Sequence, residues 1–339
     1  MAICRVYLPT FRRPQLLQRA VDSLLQQTFQ DWVCELHNDD PRDAYPGELI
    51  HRLGDERIIV LNHSENLGAV RTFNLFFKSI AEPFFALLED DNWWEPEFLQ
   101  TMVSFMSVHS AVQISWANML CWNEEANGSW SDTGRNIWDV DWTEPRLMDW
   151  PDARQMQGAL HSQGAMLARS NFEYFSVPES INLAAIEPFR ERTFAHPLLF
   201  VPQRLANFAV TRATARPTDA ASWMHAVAVL TGTYISEIGL SAKELRQVWE
   251  NARKRSRSTH VLFACAAHFA ACREMIRYAT VNDWIWSFAY TLRHPVRMYG
   301  LLRLFRVKKA EEEFLRFHTR RRQAESQAFT KQGCAEISA

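Results

Sequence analysis

The sequence predicts an α/β fold: a doubly wound, mostly parallel sheet with helices on both faces, plus a C-terminal helical extension. Three observations predict it. Between Ile3 and Leu88, short apolar runs alternate four times with stretches of helical apolar period, the pattern of strand–helix units joined by right-handed crossovers. Each apolar run ends in polar residues: Thr10, Asp39 with Asp40, Asn66 with Gly68, and Glu89 to Asp91. Such ends line up along the carboxyl edge of the sheet, where open α/β sheets bind ligands. From residue 222 to 320 the period is helical.

The elements follow in order. Ile3–Leu8 reads as a strand and Pro9–Pro14 as a loop. Leu16, Leu17, Ala20, Val21, Leu24 and Leu25 give a helix over 15–27 one apolar face. Trp32–His37 is the second strand, Ala44–Leu53 a short helix, Arg57–Leu61 the third strand and Val70–Ile80 the next helix. Phe84–Leu88, after the break at Pro83, is the fourth strand. Val112–Ser115 is a further strand, and 119–150, rich in Trp, Asn, Asp and Gly, reads as a long substrate loop. Leu245, Val248 and Trp249 share a helix face, Val261–Ala271 is an apolar helical run, and the polar residues 321–339 read as a disordered tail.

The chain has 339 residues, 47% hydrophobic and 22% charged, enough for a globular core, and its net charge of −2 points to no nucleic acid. Six cysteines lack CxxC or zinc spacing, so they read as reduced thiols of a cytoplasmic protein. The chain enters a strand at once, so no signal peptide is expected, and no apolar run is long enough to span a membrane. Neither a GxGxxG after the first strand nor a GxxxxGK[ST] occurs, which removes the dinucleotide fingerprint and the P-loop.

The chemistry concentrates at Glu89, Asp90 and Asp91. Three carboxylates at the end of a buried strand repel one another unless a cation joins them, and their hard oxygens suit Mg²⁺ or Mn²⁺. Trp93 and Trp94 follow at once and offer an apolar platform for a sugar face.

The arrangement resembles the family 2 glycosyltransferases, which have the GT-A fold. The matching residues are Leu8-Pro9-Thr10-Phe11, Ser23 to Thr28, Asn38-Asp39-Asp40, Asn66-Leu67-Gly68 through Asn74, and Leu88 to Asp91 with Pro96, Phe98 and Leu99. The resemblance implies the so-called DXD motif of bacterial polysaccharide biosynthesis enzymes. In it, Asp91 with Asp90, supported by Glu89, holds a divalent metal on the diphosphate of a UDP, dTDP or GDP sugar. It implies nucleotide-sugar contacts from Pro9, Thr10, Arg12, Asp39, Asp40, Asn66, Gly68, Arg71, Glu89 and Asp90, with Asp39 or Asp40 on the base. The segment 158–169, with His161 and Gln163, resembles the strand facing the acceptor, a glycan or lipid-linked hydroxyl. Trp93 and Trp94 belong to the same region. The implied catalytic base is Glu187, with Glu191 and Glu179 as alternates, and one displacement inverts the sugar. Similarity ends near residue 215, so the expected domains are 1–215, 216–320 and a tail 321–339. A nucleotidyltransferase on a similar sheet, and a non-catalytic carbohydrate-binding relative, are the alternatives.

Residues 284–309 contain no Asp or Glu but carry Arg293, Arg297, Arg303, Arg306, Lys308 and Lys309 among aromatic residues. Two expectations stand for this segment: peripheral contact with the inner face of a membrane, or packing on the core or in a homodimer.

Overall fold

The computed structural model describes residues 2–150, 163–212, 220–254 and 259–337. The chain forms two compact units, the first from residues 1–149, 160–176 and 194–215, the second from 150–159, 177–193 and 216–339.

The first unit is built on one ten-stranded sheet. Strands β1 (Cys4–Thr10), β2 (Trp32–Asn38), β3 (Ile58–Asn62) and β4 (Phe84–Leu87) lie parallel in the order β3-β2-β1-β4. Helices α1 (Pro14–Leu25), α2 (Tyr45–Leu53) and α3 (Gly68–Phe76) connect them. Successive strand residues point to opposite faces, and the burial shows both faces covered. Cys4, Val6 and Leu8 of β1 join Leu17, Ala20 and Leu24 of α1 in one core. Tyr7, between them, joins Phe73 and Phe76 of α3 in another. Continuous apolar runs such as Phe84–Leu87 are what a strand buried on both sides requires.

The strand β5 is the dipeptide Trp93–Trp94, and helix α4 (Phe98–Val108) follows it. Beyond lie β6 (Ile114–Glu124), β7 (Trp130–Asn136), β8 (Arg146–Met148), β9 (Met166–Arg169) and β10 (Leu198–Val210). β9 runs antiparallel between β4 and β6, whereas β6 and β10 pair in parallel. About half of the stretch 119–150, expected as a long loop, is therefore sheet: the end of β6 with β7 and β8. Its polar composition hid this, because polar side chains bond to backbone inside the strands: Thr133 Oγ1 of β7 donates to the Cys121 carbonyl of β6 at 2.8 Å.

The second unit is helical: α5 (Ile186–Glu191), α6 (Ala220–Ile238), α7 (Ala242–Lys254), α8 (Thr259–His268), a 3₁₀ stretch Ala270–Tyr278, α9 (Val281–Arg293), α10 (Pro295–Val307) and α11 (Lys309–Ile337). The sequence places 177–193 in the first domain and a disordered tail at 321–339. In the structure 177–193 pack within the helical unit, and α11 runs through to Ile337. Hydrogen bonds to segments far away in sequence hold the 322–326 stretch of α11. Trp150 Nε1 donates to Gln323 Oε1 at 3.1 Å, Ser326 Oγ donates to the Trp150 carbonyl at 2.8 Å, and Arg322 donates to the Thr193 carbonyl at 2.6 Å. No described helix is long and apolar enough to cross a membrane. Cys4, Cys34, Cys121, Cys265 and Cys272 are buried free thiols.

Candidate active site

The parallel register sets Thr10 beside Asn38 and Asn38 beside Asn62, so the three strand ends meet. The Asp39 N–H donates to the Thr10 carbonyl at 3.0 Å. The Asp39 carboxylate then accepts the first N–H groups of α3: Leu67 N at 2.8 Å on Oδ1 and Gly68 N at 2.9 Å on Oδ2. Gly68 has φ of +74°, which only a residue without Cβ adopts readily. A carboxylate at a helix N-terminus satisfies orphan donors and meets the positive end of the helix dipole.

Asp39 is also the end of a buried chain. His63 Nδ1 lies 3.0 Å from Asp39 Oδ1, His63 Nε2 lies 3.0 Å from His37 Nδ1, and His37 Nε2 lies 3.3 Å from Glu35 Oε2. Burial lowers the His37 pKa below its ordinary value, favouring the neutral ring. Two imidazole rings thus link Asp39 to Glu35, and the His37–Glu35 contact is the longest of the three. Asp40 pairs with Arg12, whose guanidinium holds its carboxyl below the usual carboxylate range.

The acid cluster lies across β1. Thr10 Oγ1 donates to Asp90 Oδ2 at 2.9 Å. Arg13 Nη1 bridges Asp90 Oδ1 at 3.1 Å and Asp91 Oδ2 at 2.9 Å. Arg19 donates to the Asp91 carbonyl at 2.7 Å. Burial pushes Asp90 up to about 6 and raises Asp91 as well, against the pull of Arg13.

Glu89 turns the other way. Its Oε2 accepts from Asn92 Nδ2 at 2.7 Å, and the backbone of Gly164 packs onto both. A Cβ on Gly164 would stand 2.6 Å from Asn92 Nδ2 and 3.0 Å from Glu89 Oε2. Trp94 is buried, stacks on Phe98 and donates Nε1 to the Gly164 carbonyl at 2.7 Å. It is a packing residue and presents no sugar platform, a correction to the sequence reading that has a simple cause: the indole N–H found a backbone partner. Trp93 is half-buried, beside Trp122 and Trp130, with the Arg19 guanidinium 3.9 Å above its ring. Arg71 is exposed and pairs with Glu65 at 3.3 Å, and Asn66 is exposed on the same loop. Pro9 lies within β1, beside His37. His161 lies outside the described residues, and Gln163 opens a 3₁₀ turn, Gln163–Ala165.

Glu187, Glu191 and Glu179 belong to the second unit. There Glu187 stands half-buried in the first turn of α5, Glu191 is buried at its last residue, and Glu179 is exposed. Sequence reasoning passed over Arg13, Arg19 and His63. Arg13 sits in a proline-flanked loop, and only its contact with both aspartates distinguishes it. Arg19 recurs on the polar side of α1, where solvated arginines are common.

Among the described residues no group of three or more His, Cys, Asp and Glu forms a metal cage. Mg²⁺ and Mn²⁺ need no such cage, since Mg²⁺ is commonly bound through one or two carboxylates plus substrate phosphates. Asp91 and Asp90, adjacent carboxylates bridged by Arg13, fit that role.

Residues 5–144 match the model of glycosyl transferase family 2. Over those residues, under half of the chain, the sequence is similar to that family. Strands β2 to β7, and β1 except Cys4, fall within the match, and so does every first-unit site residue named above except His161, Gln163 and Gly164. The putative colanic acid biosynthesis glycosyl transferase WcaA of Escherichia coli (strain K12) is 26% identical over 100 residues, 29% of this chain and 36% of that protein. The Escherichia coli UDP-Glc:alpha-D-GlcNAc-diphosphoundecaprenol beta-1,3-glucosyltransferase WfgD is 25% identical over 101 residues, 30% of this chain and 40% of that protein. The chain thus aligns with well under half the length of either relative. Among solved structures, S. aureus TarS 1-349 superposes with a TM-score of 0.53 at 16% identity, covering 94% of this chain and 90% of that one. Its complex with UDP-GlcNAc gives 0.53 at 13%, with the same coverage. The shared feature is the fold, an α/β sheet domain with a helical C-terminal region.

Proposed function

We propose that the protein is an inverting, metal-dependent glycosyltransferase that moves a sugar from a nucleoside diphosphate to a hydroxyl of a glycan or lipid-linked acceptor. The observation that carries this reading is the meeting of Asp39, Thr10, Asp90 and Asp91 at the carboxyl ends of parallel strands inside the stretch similar to family 2. The relatives' names agree in kind: WfgD is named as a transferase from UDP-Glc, and a TarS structure holds UDP-GlcNAc.

Asp39 would read the base. Its carboxylate has about four lone-pair sites, and Leu67, Gly68 and His63 take three. The remaining one accepts a ring N–H, which uracil, thymine and guanine present and cytosine does not. Thr10 orients Asp90 through its hydroxyl. A divalent ion held by Asp91 and Asp90 would supply charge neutralisation for the departing diphosphate. Arg13 moves aside or turns its guanidinium to the diphosphate oxygens, and Arg19 keeps the Asp91 backbone in place. Glu187 takes the proton of the acceptor hydroxyl, and attack on the face opposite the diphosphate inverts the anomeric carbon.

A thermal-shift screen of UDP, dTDP, GDP and CDP sugars with Mn²⁺ tests the reading, because a ligand bound only by the native state raises the melting temperature. Stabilisation by a UDP, dTDP or GDP sugar, with release of the diphosphate on adding acceptor, is expected. No shift with any of them overturns it.

A further inference from the structure

We propose that the α9–α10 face of the helical unit is a docking surface for an anionic lipid bilayer. The inference is independent of the transfer reaction. It begins with an inversion of the usual helix pattern. The fully buried residues of α9 are Asp283 and Ser287, while its large apolar side chains face solvent. Val281, Ile285, Phe288 and Leu292, spaced as one stripe on a helix, are 58–75% exposed. On α10, Val296 and Tyr299 are 81% and 70% exposed. Of the twenty large hydrophobic residues exposed among the described residues, ten fall within 281–307. Exposed apolar surface gathered in this way marks an interaction site.

α9 is nonetheless well formed. Thr280 and Asp283 make a reciprocal capping box, and Arg253 pairs with Asp283 at 2.7 Å. α10 is anchored by Leu301 and Phe305, which are buried. The apolar surface is thus presented by fixed helices.

Charge selects the occupant. Lys308 is tied to Glu311 at 2.8 Å. Arg293, Arg297, Arg303, Arg306 and Lys309 are exposed, and no acid lies between 284 and 309. A second copy of this chain docked through the same face would set arginines against arginines, since a twofold contact is self-complementary. A bilayer of anionic lipid offers the opposite charge together with apolar depth for Trp286 and Phe288. α9 has 13 residues, about 20 Å at 1.5 Å per residue. That is well short of a hydrocarbon core of about 30 Å, so it lies in the interface rather than across it.

The test is flotation of the full chain with vesicles of phosphatidylglycerol and phosphatidylcholine in equal parts, and with phosphatidylcholine alone. Two variants accompany it: Phe288→Ser with Leu292→Ser and Val296→Ser, and Arg293→Gln with Arg297→Gln and Arg303→Gln. All six residues are exposed, and unchanged thermal melting confirms that the variants fold. The wild type is expected to float with the anionic vesicles at low salt and to be released from them by high salt. Partitioning should fall about fivefold for each arginine removed, and the serine variant should stay in the soluble fraction. The proposal is overturned if the wild type does not float, or if both variants float as well as the wild type. It is also overturned if ultracentrifugation without vesicles shows a wild-type dimer that the serine variant loses.

Discussion

Arg13 Nη1 sits between two carboxylates, 2.9 Å from Asp91 and 3.1 Å from Asp90. Removing one partner of a buried ion pair leaves charge uncompensated. Arg13→Met is therefore expected to lower stability at neutral pH by about 2 kcal/mol, measured by urea denaturation, and added Mn²⁺ should restore part of it. Asp90 has a raised pKa, about 6 with Arg13 present, and losing the arginine raises it further. The deficit belongs to the ionised pair, so it should shrink as pH falls towards about 6 and be gone below it. A deficit independent of both pH and Mn²⁺ would show that Arg13 acts only by packing.

Asp91→Ala should keep the fold and lose transfer. Losing a preorganised charge contact in the transition state typically costs ~10²–10³ in turnover. The melting curve should not fall, because the substitution removes a buried carboxylate whose ionisation is disfavoured. Unimpaired transfer by the wild type in excess EDTA would remove the metal from the mechanism.

For Glu187→Gln the expected loss is in kcat, by ~10²–10⁴, with donor KM nearly unchanged, since proton transfer belongs to the transition state. Near-normal turnover would move the assignment to Glu191 or Glu179.

His63 acts through Asp39, so its replacement should separate binding from chemistry. A hydrogen bond to a charged group contributes about 1.5–3 kcal/mol, and His63→Ala should raise donor KM roughly tenfold with kcat preserved. His63→Gln, which can still donate an N–H, should recover most of the affinity. An equal fall in kcat for both variants would make His63 a structural residue.

The helical unit has its own pH signature. His225 of α6 is buried with its Nδ1 3.6 Å from Glu311 Oε2, and burial, aided by Lys308 and His268, lowers its pKa to about 4. A depressed folded value, against about 6.5 unfolded, stabilises above pH 6.5 and is lost as pH falls towards 4. Replacement by Gln should flatten that acid limb by up to ~3 kcal/mol, read from denaturation at several pH values. An unchanged slope would place the titration elsewhere.

The first four strands and their helices were legible because each carries one clean period: Phe84–Leu87 is apolar throughout, and Leu17, Ala20 and Leu24 repeat at helical spacing. The strand-end residues were legible for the same reason, since the end of a run marks the edge of the sheet. β6 to β8 were not, because polar side chains such as Thr133 bond to backbone within the sheet and their composition imitates a loop. The second half of α11 is mostly small and polar, which reads as solvated chain. Its anchors, Trp150 and Thr193, come from distant parts of the sequence. Arg13 and His63 were invisible for a related reason: their partners lie 77 and 24 residues away, and no local spacing encodes those meetings.

The α3 N-terminus has a further consequence. Free N–H groups at the start of a helix are a ready cradle for phosphate. Here Leu67 and Gly68 already donate to the Asp39 carboxylate, which brings its own negative charge to that end. A donor's diphosphate arriving there would meet repulsion instead of a cradle. If Asp39 reads the base as proposed, the helix dipole is spent there, and the anionic half of the donor would fall to Arg13 and any bound ion rather than to fixed backbone. Affinity for the nucleoside and affinity for the diphosphate would then be separable quantities, set on opposite sides of β1.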